Sequence, residues 1–224
     1  MCNRFRGLKD WSQLSRKIGG ARLNFEYNPN VAPTESVPVL LSERGQNVSA
    51  RMARFGIVLK STGEKKRPPL LNARTDSLKR GSFKSMLSSR HCVIPAEGFY
   101  EWREENGAKQ PYLFARKDGQ PLMLAGIWDW SDVKGDKVPS FAILTEEPNE
   151  LIAPYHDRMP VVVEEAEKWL DPDTPLEDAG PLPPEAFVVR PVNRALNNAR
   201  EKDVEKIDSE APSPEPASKS KQKK

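Results

Sequence analysis

Residues 91–102 read HCVIPAEGFYEW, two apolar runs on either side of Glu97-Gly98. The first run, His91 to Ala96, is continuously apolar after its histidine, the pattern of a strand buried on both faces. The second run, EGFYEW, is aromatic, and aromatic side chains favour a pleated, half-buried surface. The chain is therefore expected to turn from one strand into another here. Downstream, Gly107 breaks the chain, and three further apolar runs follow: Tyr112 to Arg116, Pro121 to Trp130 and Ser140 to Thr145. They are separated by KDGQ and SDVKGDK, turn-forming segments whose spacing predicts consecutive antiparallel strands. Upstream, VPVLL (37–41) and Met52 to Leu59 are strand candidates, STGEKKRPP (61–69) is a loop in which Pro68-Pro69 stops any helix, and SFKSMLSS (82–89) has the spacing of a short helix. Glu164 to Leu170 fits another short helix, DPDTPLEDAGPLPP is a connector, and Ala186 to Pro191 is a last strand. The expected fold class is α+β, with a sheet at its centre.

The chain has 224 residues, enough for one generous core, and its 37% hydrophobic and 30% charged residues still allow that core to be buried. Two cysteines and two histidines are too few for a disulfide framework or a thiolate zinc site, so no metal and no cofactor is expected. No stretch approaches the ~18 apolar residues of a membrane span, and MCNRFRGLKDW lacks the apolar centre of a secretory signal, which places the expected site of action in the cytoplasm, near the nucleoid. A net charge of +3 is compatible with a polyanionic partner without requiring one. From Ser209 the sequence SEAPSPEPASKSKQKK has no large apolar residue, and this tail is expected to be disordered.

Four separated segments carry the chemical reading: Met1-Cys2-Asn3-Arg4-Phe5, Asn72-Ala73-Arg74, Val93 to Trp102, and His156-Asp157-Arg158-Met159-Pro160. With YNPNVAPT (27–34), Gln110-Pro111-Tyr112, Ala125 to Trp128, Thr145 and Pro191-Val192-Asn193 between them, their order resembles the SRAP family, the SOS response-associated peptidases, over about residues 2 to 208. The resemblance implies a single domain, residues 2–208, with a mainly antiparallel, barrel-like β core and short flanking helices, followed by the tail, 209–224. It also implies removal of Met1, so that Cys2 becomes the first residue.

A terminal cysteine holds an amine and a thiol on adjacent carbons, a pair that captures an aldehyde as an imine and then closes a thiazolidine ring. An abasic deoxyribose presents such an aldehyde. The reference pKa of an α-amine is about 7.7–8.0 against about 10.4 for lysine, so its nucleophilic fraction at neutral pH is roughly a few hundredfold larger. The thiol, with a reference value near ~8.5, needs a neighbouring base or cation.

By the resemblance, Cys2, Asn72, Glu101 and His156 are catalytic. Cys2 is the nucleophile, and Glu101, in its aromatic setting, is a general acid/base whose pKa desolvation would raise. His156 moves a proton near the sugar, and Asn72 positions amine or lesion. Arg4, Arg74 and Arg158 are expected on DNA phosphates, with Arg158 able instead to buttress the site through an ion pair, and Thr145 supports the pocket. His91 is read as structural. The implied partner is single-stranded DNA containing abasic sites, because a stacked duplex hides the aldehyde, and the protein is expected to be a monomer that uses no membrane. Two other readings stay open: a cysteine-type peptidase acting through Cys2, and a binding module for single strands with Cys2 inert. The sequence departs from the family in Asn3, where glycine is usual, and in Phe55 and Ser61, where tryptophans are common.

Overall fold

The structure is a computed structural model and describes residues 2–12, 14, 23–59, 67–77 and 83–209, Lys84 by its backbone only. Its strands are β1 (Phe5–Gly7), β2 (Ser36–Leu41), β3 (Ser49–Phe55), β4 (Asn72–Arg74), β5 (His91–Glu105), β6 (Ala108–Arg116), β7 (Leu122–Val133), β8 (Asp136–Glu146), β9 (Met159–Pro160) and β10 (Phe187–Pro191). The helices α1 (Lys84–Leu87), α2 (Ala166–Trp169) and α3 (Val204–Asp208) are short. The fold is α+β.

Five strands close on themselves. β2 pairs antiparallel with β3 and with the start of β5, β5 with β7, β7 with β8, and β8 returns to β3 in parallel through Arg54↔Ser140 and Phe55↔Phe141. The period-two alternation of side chains along these strands explains why the ring holds. Val37, Val39 and Leu41 of β2, Phe55 of β3, Cys92 and Ile94 of β5, Leu122 and Leu124 of β7, and Phe141 and Ile143 of β8 share one buried cluster. The alternate residues, Leu40, Val93, Ala125, Ile127, Ala142 and Leu144, belong to a second cluster with Met86 of α1 and Trp169 of α2. One face of the ring strands thus meets the other ring strands, and on the opposite face α1 and α2 cover β5 and β7. Phe55 lies stacked on Phe141 at 5.2 Å, with Phe5 edge-on to it at 5.6 Å.

β5 connects this ring to the rest of the sheet. Its first half, His91 to Ala96, pairs with β7, while Phe99 to Glu105 pairs with β6, which in turn carries β10. The short β1 lies along the other edge of β5, Phe5 opposite Phe99 and Arg6 opposite Gly98. Gly98 is needed there, because a Cβ would come within 2.5 Å of Phe114 O and 2.7 Å of Leu113 Cδ1.

HCVIPAEGFYEW therefore does not turn between two strands. It is the main part of a single 15-residue strand, and what changes at Gly98 is its pairing partners, not its direction. The expected strand from Met52 to Leu59 ends earlier, at Phe55, because Gly56 leaves extended backbone with φ +112°. The three downstream strands are found, but only β7 and β8 follow one another as an antiparallel pair; β6 pairs with β5 and β10, and β7 with a different stretch of β5, so β6 and β7 are not neighbours in the sheet. The helix expected over 82–89 spans Lys84–Leu87, the one over 164–170 spans Ala166–Trp169, and both shrink because a few apolar residues at helical spacing dock only one turn. Ser82, most of the 61–69 loop and the tail from 210 onward lie outside the described residues. Among the described residues no helix is long and apolar enough to cross a membrane.

Candidate functional site

The antiparallel register of β1 on β5 continues past Phe5, where Tyr100 N donates to Arg4 O at 3.0 Å, and this carries Cys2 and Asn3 toward Glu101. Cys2 is fully buried and belongs to the inner cluster of the ring. Burial pushes its thiol well above the ordinary range, and the Glu101 carboxylate adds to the effect. Glu101 is itself 3% exposed. Its pKa rises to about 7, mainly through burial and further through Asp157, against the pull of the positive amino terminus. A buried acid of that strength is half ionised near neutrality and can both give and take a proton.

β4 brings the second group. It runs parallel to β8 with Asn72 opposite Ile143 and Arg74 opposite Thr145. From there Asn72 Nδ2 donates to Asn3 Oδ1 at 2.7 Å, tying the residue next to Cys2 to the β8 side of the site.

The third group comes from the segment that enters β9, which pairs Pro160 with Thr145. Asn149 caps the preceding turn by accepting from Leu151 N and Ile152 N, and His156 N donates to Ile152 O. His156 Nδ1 faces both Arg158 N at 3.0 Å and Asp157 Oδ1 at 2.8 Å. A neutral ring satisfies one of these contacts at a time, accepting from Arg158 N with its proton on Nε2 or donating to Asp157 with its proton on Nδ1. Burial and the positive amino terminus lower the pKa of His156, so the neutral form prevails near pH 7, although Asp157 pulls the other way.

Arg158 is 6% exposed and donates from Nη2 to Thr145 O at 2.6 Å. Its Nη1 lies 3.7 Å from Asp76 Oδ2, and the same carboxylate group receives both Nε and Nη2 of Arg74. Arg74 is exposed at the rim. Arg4 is placed differently. It is 9% exposed, its Nε and Nη2 both reach Asn30 Oδ1, Nη2 also donates to Leu196 O at 2.8 Å, and the guanidinium lies over the Trp102 ring. His91 is stacked on Trp169 at 3.8 Å, and both line a cavity that reaches Asp76 and Arg158.

The fold thus gathers Cys2, Asn72, Glu101, Thr145, His156 and Arg158 around one place, sets Arg74 at its edge and holds Arg4 within the protein. Three buried polar atoms there, Asn72 Oδ1, Thr145 Oγ1 and Arg158 Nε, have no hydrogen-bond partner among the described residues. Buried polar groups without partners cost roughly 1–3 kcal/mol each. Three from one site suit a polar ligand that would satisfy them. Reading the sequence missed Asn3, which stood out only as a departure from glycine, and also Asp157 and Asp76. Their signal was an acidic residue within two positions of a candidate base or cation.

The model of the SOS response associated peptidase (SRAP) family matches residues 1–199. The abasic site processing protein YedK of Escherichia coli is 32% identical over 187 residues, 80% of this chain and 82% of the relative. The abasic site processing protein YoqW of Bacillus subtilis is 30% identical over 182 residues, 77% of this chain and 81% of the relative. The abasic site processing protein HMCES of Gallus gallus is 31% identical, over 78% of this chain and 64% of the relative. Among solved structures, a Bordetella bronchiseptica protein superposes with a TM-score of 0.70 at 26% identity, covering 86% of this chain and 100% of that one.

Proposed function

The chain belongs to the SRAP family, and on that premise we propose that it processes abasic sites in single-stranded DNA by covalent capture at Cys2, acting as a monomer. Met1 is removed, and the freed Cys2 amine attacks the C1′ aldehyde of the opened deoxyribose. The carbinolamine loses its hydroxyl as water when Glu101, protonated near neutral pH, supplies the proton. The resulting iminium carbon accepts the Cys2 sulfur, and the thiol proton passes to the Glu101 carboxylate that the previous step produced. The product is a thiazolidine, formed with net loss of one water.

The high thiol pKa fits this order of events. Desolvation keeps the sulfur protonated until a base next to it is created, so ring closure follows imine formation. His156, neutral near pH 7, serves the sugar oxygen released on ring opening. Asn72 and Thr145 hold the opened sugar through the buried atoms that lack protein partners. Arg74 and Arg158 face phosphate, while Arg4 acts through packing beneath the site. Release of the crosslink and strand cleavage by β-elimination are further outcomes of the same acid/base pair.

The observation that carries this reading is the coupling of Cys2 to a buried Glu101 whose pKa lies at about 7. The relatives' names, all abasic site processing proteins, support the choice of substrate. The test is a denaturing gel of the purified protein after incubation with an oligonucleotide holding one abasic site. The proposal expects a shifted band that Cys2→Ala abolishes and Glu101→Gln delays. Reversible binding alone, equal for intact and abasic strands, would point to a module with an inert Cys2, and cleavage of an added peptide would point to a peptidase.

A further inference from the structure

Beyond the site, β5 carries a second feature on the face that bears Glu101. Arg103, two residues further along that strand, is 42% exposed at its side chain. Its guanidinium lies over the rings of Tyr112, at 5.2 Å, and Tyr155, at 5.0 Å, and these rings meet edge-on at 4.7 Å. Tyr112 is the cross-strand partner of Glu101, and Tyr155 is the residue before His156. Both tyrosines therefore place the guanidinium near the strand and the segment that carry the two proton-moving groups of the site.

The hydrogen bonds of Arg103 leave one side of the fork available. Nε donates to Glu105 Oε1 at 2.7 Å, and Nη2 reaches Glu105 and Tyr112 Oη, whereas Nη1 has no hydrogen bond among the described residues. A planar cation fixed on two aromatic faces loses little entropy when it takes an oxyanion, so its remaining donors are preorganised for phosphate.

We propose that the Arg103 ledge on Tyr112 and Tyr155 binds a backbone phosphate of the strand flanking the lesion. This rests on the reading of the chain as a single-strand binder. Glu105 is the built-in competitor of that phosphate, because it occupies the same guanidinium. Arg103→Gln should therefore weaken binding, while Glu105→Gln should strengthen it. An ion pair that served only the fold would make neither change.

The experiment measures fluorescence anisotropy of an oligonucleotide with a tetrahydrofuran spacer, which has no aldehyde and cannot crosslink, over a range of salt concentrations. Arg103→Gln is expected to bind about fivefold more weakly, with a salt slope smaller by about 0.7, the contribution of one single-strand phosphate contact. Glu105→Gln is expected to bind more tightly than the unaltered chain at low salt. A thermal melt of each variant accompanies the binding, and because the two are expected to shift affinity in opposite directions, a shared loss of folding cannot imitate the result. If both variants keep the original affinity and slope while the unaltered chain crosslinks abasic DNA, the ledge is overturned and the Cys2 chemistry stands. If no crosslink forms yet Arg103→Gln still weakens binding, the Cys2 chemistry fails and the ledge stands.

Discussion

Asn72 Nδ2 donates to Asn3 Oδ1 at 2.7 Å, across 69 positions of sequence, and so fixes the residue beside Cys2 to β4. The same bond leaves Asn72 Oδ1 buried and facing no protein donor among the described residues. Asn3 thus has a task that a glycine at this position could not perform. Asn3→Gly should lower stability by about 1 kcal/mol and slow crosslinking. In a double-mutant cycle with Asn72→Ala, measured by urea unfolding, the two changes should couple by a similar amount. Simple additivity would show that the bond does not form in solution.

Glu101 makes stability depend on pH. Its folded pKa is raised to about 7, whereas the unfolded chain titrates it near 4.5. Below the unfolded value both states hold the proton and burial costs nothing extra. As pH rises toward 7 the unfolded state ionises first, and stability falls by at most about 3 kcal/mol before levelling off. Glu101→Gln removes this loss. The variant should match the original chain at pH 4 and exceed it in denaturant midpoint at pH 8, and an advantage that did not grow with pH would contradict the placement of Glu101.

Asp157 acts on two neighbours in the same direction. Its negative charge raises the pKa of Glu101 and that of His156. Asp157→Asn should therefore lower both, which NMR titration of the imidazole and of the carboxyl carbon would follow. A downward shift at His156 alone would mean that Asp157 turns away from Glu101 in solution.

Gly98 lies where β1 crosses β5, and a Cβ there would meet the backbone oxygen of Phe114 at 2.5 Å. Backbone cannot yield as a flexible side chain can, so Gly98→Ala should destabilise the protein by about 1–3 kcal/mol in denaturant unfolding. Since β1 pairs with β5 at Gly98 and follows directly on Cys2 to Arg4, the change should also slow crosslinking more than an equally destabilising change in β10.

The strands of the ring were legible where both faces are apolar, as in β2, the first half of β5 and the middle of β8, whereas β3, with Arg51 and Arg54 among its residues, was expected with other bounds. Gly98 misled the reading of 91–102, since a glycine between apolar runs signals a turn as well as a close approach, and only the position of Phe114 decides between them. β1 and β4, of three residues each, and the five-residue α3 are too short to show any period. In the site, Cys2, Asn72, Glu101 and His156 were named from the order of their motifs. Their convergence depends on strand pairing that sequence spacing does not encode. Arg4 illustrates the remainder: its charge is visible in the sequence, but the acceptors that hold it, Asn30 Oδ1 and Leu196 O, are brought to it from 26 and 192 positions away.

The most direct test is the intact mass of the species formed with an abasic oligonucleotide, followed by digestion to locate the attachment. Capture by the processed terminus predicts the mass of the chain without Met1 plus that of the DNA less one water, with the remnant on residue 2 and no reductant needed to preserve it. A chain that keeps Met1, or a remnant found on a lysine, would contradict it.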